Sequence, residues 1–152
     1  MRMSTRSRYA LRLILYLAMQ EENRAVMLKQ IAEEEQVSDK YLSQLLIPLR
    51  REGIIRSYRG AKGGYTLARD PKAITLEDVV SVMEGGVDVV QCVQDIDFCP
   101  RARTCKARPV WQALGETLSE YLRSRTIYDI VQSGQDRSDE RRVGKECATG
   151  CR

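Results

Sequence analysis

A mainly α-helical fold with one small β-hairpin is what this sequence of 152 residues predicts, on three observations. Apolar residues recur at three- and four-residue steps in several separate segments, as on the buried faces of amphipathic helices. Two short β-rich runs flank the Gly-rich stretch Arg59-Gly60-Ala61-Lys62-Gly63-Gly64, as in a hairpin. The longest apolar run, Leu13–Met19, falls far short of the roughly 18–20 residues of a membrane span. It follows Arg2, Arg6, Arg8 and Arg12 without a small-residue cleavage site, so it reads as the first core helix of a cytosolic protein.

Each element has a local reason. Tyr9, Ala10, Leu13, Ile14 and Leu17 predict a first helix from about Ser4 or Thr5 to Gln20. Leu28, Ile31 and Ala32 predict a short second helix over Leu28–Glu35. Gln36-Val37-Ser38 is a tight connection, with Ser38 as N-cap of a third helix from Asp39 to about Arg51. Tyr41, Leu42, Leu45, Leu46 and Leu49 supply its buried side, and Pro48 predicts a kink or break just before Gly53. Ile54–Tyr58 and Tyr65–Ala68 form the hairpin. Thr75 caps a fourth helix, with Asp78 in capping-box position and Gly85-Gly86 as the stop. Pro109 opens a long helix carrying Trp111, Leu114, Leu118, Tyr121, Leu122 and Tyr128. The expected organisation is a winged helix-turn-helix over 1–84, a cysteine-bearing loop over 85–108, a dimerisation helix over 109–131 and a disordered tail over 132–152. The tail's end, Arg141–Arg152, reads as foreign to the rest.

Composition narrows the chemistry. The chain has no His, which removes Ser-His-Asp and Cys-His catalysis and every His-containing zinc site. With no convergent acid pair near a nucleophile either, no catalytic set emerges and an enzyme is not expected. Five Cys, none spaced C-x2-C, argue against a disulfide framework and a zinc ribbon. Residues 1–69 hold 13 Lys/Arg against 7 Asp/Glu, whereas residues 70–152 hold 12 against 14. The positive excess lies wholly in the first half, which suits a nucleic-acid partner and equally a merely solvated basic face.

The order helix, short helix, tight turn, helix and basic hairpin is a winged helix-turn-helix pattern, in which one helix enters a major groove. Ser38, Lys40, Ser43 and Gln44 are polar positions of the third helix. Gln44 can pair with adenine, and Lys40 suits a phosphate or guanine. Arg56, Arg59 and Lys62 lie on the hairpin with no acid between them, and arginine on a thin wing can enter a narrow minor groove. The absence of Gly-Lys-Ser/Thr rules out an NTPase phosphate loop.

These segments resemble a known family. Ser4-Thr5-Arg6, Tyr9-Ala10-Leu11-Arg12, Ile31-Ala32-Glu33, Tyr41–Arg50, Gly53–Ser57 and Arg59–Ala68 look like the iron–sulfur cluster regulator (IscR) family. That family includes the nitric-oxide-sensing repressor NsrR and the cysteine-metabolism repressor CymR. The likeness spans roughly residues 1–131 and accounts for Pro48. It implies a homodimeric bacterial transcription factor. It also implies that Ser38, Lys40, Tyr41 and Gln44 line the DNA-reading surface and that Arg59 probes the minor groove.

Cys92, Cys99 and Cys105 share one loop with Asp95, Asp97, Arg101, Arg103 and Lys106. Thiolates are the usual ligands of iron–sulfur clusters, and nearby cations stabilise them. Read from spacing alone, the three are a cluster site, free structural thiols or a disulfide pair. The resemblance implies a cluster. Cluster-assembly members place a His three residues after the third Cys, where this chain has Arg108, which cannot ligate iron. Nitric-oxide sensors use an acid near the start of the first helix, where this chain has Arg8. Asp95, Asp97, an external thiol or water remain as the fourth ligand, and [2Fe-2S] against [4Fe-4S] stays open. Cys147 and Cys151 lie in the tail and read as bystanders.

The apolar stripe from Trp111 to Tyr128 is large for so small a domain, and packing on the protein's own first helix or pairing with a second copy would cover it, the second being the expectation. A twofold dimer implies an inverted-repeat operator on double-stranded DNA. The alternative function is a cluster-free regulator of the same fold, controlled by thiol oxidation or a partner protein.

Overall fold

The structure, a computed structural model, describes residues 3–21, 24–60 and 63–134. Helix α1 spans Thr5–Ala18, α2 Leu28–Glu35 and α3 Asp39–Arg51. Ser4 caps α1 by accepting from the Ser7 N–H at 3.2 Å, and Ser38 caps α3 by accepting from the Tyr41 N–H at 3.3 Å. Gln36 turns the chain between α2 and α3 in the left-handed region, at φ 52°. Pro48 lies inside α3, which continues through it to Arg51. Buried Leu45, Leu46 and Leu49 anchor the helix on both sides of the missing hydrogen bond.

Strands β1, Ile55–Tyr58, and β2, Gly64–Leu67, pair antiparallel with Ile55 opposite Leu67 and Tyr58 opposite Gly64. A single bridge residue, Val26, not anticipated from the sequence, extends this wing. Val26 donates its N–H to the Tyr65 carbonyl at 3.0 Å and accepts from the Tyr65 N–H at 2.8 Å. This contact explains Gly64, where a Cβ would lie 2.4 Å from the Val26 carbonyl oxygen. A Cβ on Gly63 would lie 2.5 Å from the Tyr58 carbonyl oxygen.

Helix α4, Leu76–Glu84, starts at the expected Thr75–Asp78 capping box and stops at Gly85, φ 81°. The core is built from Ala10, Leu13 and Ile14 of α1, Ile31 of α2, the α3 leucines, Ile54, Ile55, Val79 and Met83. The end of α4 is fastened to the start of α1. The Ser7 hydroxyl donates to the Glu84 carboxylate, and the Ser4 N–H donates to it at 3.0 Å. These bonds hold the Glu84 carboxyl below its ordinary value.

Beyond Gly85 the structure departs from the sequence reading. The expected loop carries helix α5, Gln91–Gln94, and a 3-10 turn at Ile96–Phe98. The single helix expected over 109–131 is two: α6, Arg108–Arg123, and α7, residues 127–134. The first closes at Ser124, and Thr126 caps the second, its hydroxyl accepting from the Asp129 N–H at 3.2 Å while Asp129 Oδ2 accepts from the Thr126 N–H at 3.0 Å. The Thr126 hydroxyl, which donates to Asp129 Oδ2 at 2.7 Å, and then the Thr126 N–H hold the Asp129 carboxyl below its ordinary value. The break sends Ile127 into the core, fully buried, with its N–H donating to the Ile74 carbonyl at 2.9 Å. Residues 132–134, assigned to the tail from the sequence, continue α7. The rest of the tail, with Cys147 and Cys151, lies outside the described residues, as does Lys62.

Candidate nucleic-acid interface and thiol loop

Burial of Leu42, Leu45, Leu46 and Leu49 turns the opposite side of α3 outward. Ser38, Lys40 and Gln44 are exposed there, and Lys40 and Gln44 share a face at i,i+4 spacing. Ser43 is half-buried and donates its hydroxyl to the Asp39 carbonyl at 2.8 Å, and Ser38 serves as the cap. The sequence reading missed Ile47, 61% exposed and three residues beyond Gln44. An outward-facing apolar side chain there suits a thymine methyl. The leucine spacing already points Ile47 away from the core.

Tyr41, expected on the buried side of α3 and, by the resemblance, on the DNA-reading surface, is half-buried against the core. Its hydroxyl is buried without a hydrogen-bond partner, and its ring meets Tyr9 edge-on at 5.7 Å. Arg12 lies over the Tyr9 ring at 5.3 Å and donates from Nε to the Glu35 carboxylate at 2.6 Å. It also donates to the Glu35 backbone carbonyl at 3.0 Å. Tyr41 therefore braces α3 against α1, and Arg12 ties that brace to the end of α2.

Arg56 and Arg59 are exposed on the wing. The ion pairs among the described residues are Arg12–Glu35, Lys29–Glu33, Arg69–Asp78, Arg103–Asp97 and Arg123–Glu77. Lys40, Arg56 and Arg59 are in none of them, so their charge is available to phosphates.

The three loop cysteines are free thiols, each half-buried. Among the described residues, no three Cys, Asp or Glu side chains stand close enough to hold a metal ion. Both candidate acids are engaged locally: Asp97 pairs with Arg103 at 3.7 Å, and Asp95 accepts from the Asp97 N–H at 3.0 Å. Arg108 donates to the carbonyls of Cys92, at 3.0 Å, and Val93, at 3.4 Å. It straps the first cysteine's turn to the start of α6. The other end of α6 is tied to α4, where Glu77 pairs with Arg123 and accepts from the Ser119 hydroxyl at 2.5 Å. The Arg123 bond, then that of Ser119, hold the Glu77 carboxyl below its ordinary value.

A family model described as an iron-dependent transcriptional regulator, Rrf2, matches residues 3–133. The chain belongs to the Rrf2 family. It is 36% identical over 132 residues to the protein rrf2 of Nitratidesulfovibrio vulgaris, covering 87% of this chain and 88% of that one. The solved structure of CymR, the global cysteine regulator of B. subtilis, superposes with a TM-score of 0.72 at 34% identity, covering 88% of this chain and 98% of that one. The IscR of T. potens superposes with a TM-score of 0.72 at 31% identity, covering 90% of each. The winged-helix fold and the resemblance read from the sequence are thereby established. As an Rrf2 member, the chain is a DNA-binding transcriptional regulator and not an enzyme.

Proposed function

We propose that the chain acts as a homodimer on an inverted-repeat operator and that the thiol loop sets its DNA affinity. Ser38, Lys40, Ser43 and Gln44 would present α3 to the major groove, with Ile47 beside them. Arg56, Arg59 and Lys62 would carry the wing. The observation that carries this reading is the pairing of a polar α3 face with a wing whose Arg56 and Arg59 are in none of the ion pairs among the described residues. Such a surface binds by releasing counterions from phosphates and specifies by base-edge contacts.

Dimerisation is supported by α6. Val110, Trp111, Leu114 and Tyr121 are exposed along it, whereas only Gly115 and Leu122 are buried. Exposed apolar stripes of this kind mark interfaces. A self-complementary α6 pair would set the distance between the two reading helices. The straps at Arg108 and at Glu77–Arg123 link the loop, α6 and the DNA-binding body. A change in the loop would then shift the balance between two dimer geometries.

For the signal, Cys92, Cys99 and Cys105 are the donor set that would hold an iron–sulfur cluster. Their chemistry fits: free thiols in one segment with Arg101, Arg103 and Lys106 beside them. The cluster would supply sensitivity to oxidants, iron supply or nitric oxide. The separation of the thiols and the occupied Arg108 favour a second reading, in which the loop responds through thiol oxidation without a cluster or is governed by a partner protein. Anaerobic purification with iron and sulfide analysis separates the two. A brown protein whose iron is lost in Cys99→Ala, with the dimer retained, supports the cluster. A colourless, iron-free parent protein removes it.

A further inference from the structure

Beside the root of the wing lies a cleft of about 540 Å³, of whose lining the proposed function uses only Arg56. Its walls are the end of α1, the outer face of the hairpin, the turn at Pro71–Ala73 and the first turn of α7. Arg24, Arg56, Arg69 and Lys72 line it, against the carboxylates of Glu21 and Asp70, so among the described residues the lining carries two more positive than negative charges. Arg24 and Arg56 are in none of the ion pairs among the described residues, and Arg69 reaches Asp78 only at 4.0 Å. Asp70 is committed to its turn, accepting from the Lys72 N–H at 2.8 Å. Two exposed aromatic rings complete the rim. Tyr58 lies on the same face of β1 as Arg56, and Tyr128 lies under Lys72, whose Nζ is 4.7 Å from the ring centre. Leu17 supplies an apolar wall.

Surplus cations, two flat rings and an apolar wall in a space of small-ligand size define one chemistry. We propose that this cleft binds a small anion with a flat apolar body, an aromatic carboxylate or phosphate. Its acid group would be held by Arg24, Arg56 and Arg69, and its ring set against Tyr58 and Tyr128. Arg56, assigned to DNA from the sequence, would then serve the cleft. A ligand there would touch the wing, α1 and α7 together, and any consequence for DNA affinity rests on the function proposed above. Binding itself does not, so it is tested without DNA.

The same cations could seat a phosphate of the DNA backbone, and the experiment separates the two sources. Phenyl phosphate, inorganic phosphate and phenol are titrated into the full chain by calorimetry, with backbone amide NMR to locate the site. The expected result is saturable binding of phenyl phosphate, tighter than inorganic phosphate, with no binding of phenol and shifts at Arg56, Tyr58 and Tyr128. Arg24→Ala with Arg69→Ala, both exposed positions, should weaken phenyl phosphate at least tenfold. The single change Lys72→Gln should weaken it less. DNA affinity of the double variant, without added anion, should keep the parent's salt dependence. Failure of phenyl phosphate to bind, or undiminished binding by the double variant, overturns the proposal. So does a reduced salt slope together with no phenyl phosphate binding, which would make the cleft a seat for the DNA backbone.

Discussion

The DNA-binding body and the C-terminal arm are built on different principles. The body, from α1 to α4, closes on itself: the apolar faces of its helices meet in one core, and its ends are fastened where Ser4 and Ser7 hold Glu84. Helix α6 buries little and shows Trp111 at 40%, Leu114 at 46% and Tyr121 at 57% exposure. Yet the arm is not loose at its far end, because Ile127 returns to the core. The arm is therefore a strap fixed at both ends, whose middle stays exposed. Signals arriving at the thiols would act where the chain has the least packing to oppose them.

The largest contrast comes from one truncation in each region. Leu45→Ala in the body should cost about 2–5 kcal/mol, since Leu45 is fully enclosed. Leu114→Asp in the arm should leave the urea midpoint of the body nearly unchanged while reducing the mass in solution to that of a monomer. Sedimentation and chemical denaturation check both. A dimer that survives Leu114→Asp would move the seam off α6.

Within the reading surface, Gln44→Ala should reduce discrimination between bases at one operator position by about 1–3 kcal/mol. Selection from a randomised duplex pool measures this, and an unchanged preferred sequence would contradict the outward placement of Gln44.

The fastening of the body should show in its pH dependence. The hydroxyl of Ser7 and the N–H of Ser4 lower the Glu84 carboxyl from its ordinary 4.5, so the folded form binds its proton more weakly than the unfolded form. The resulting stability is fully present above that ordinary value and is lost as pH falls through the lowered one. Ser7→Ala should thus be destabilised by about 1 kcal/mol near neutrality, converging on the parent in acid. Urea midpoints between pH 7 and pH 3 test it, and a constant gap would assign the loss to packing.

Most of the body was legible in the residues because its signals are local. Ser38 and Thr75 are caps, the leucines of α3 follow one face, and Gly63 marks a turn too crowded for a side chain. The break after α6 was equally local but was overlooked. Thr126 and Asp129 repeat the spacing of Thr75 and Asp78, and the apolar stripe running on to Tyr128 masked that second box. The Val26–Tyr65 bridge was not legible, because pairing across such a distance leaves no periodicity in a single residue. The burial of the Tyr41 hydroxyl and the strap from Arg108 depend on side-chain direction, which spacing does not encode.

The central claim is that the α3 face and the wing grip duplex DNA. Fluorescence anisotropy of a duplex carrying an inverted repeat, followed across salt concentrations with and without iron, tests it most directly. The account predicts tight binding at low salt, a steep linear fall of log affinity with log salt, and a slope smaller by about one in Arg59→Ala. Indifference to every duplex at low ionic strength, in both iron-loaded and iron-free protein, would contradict it.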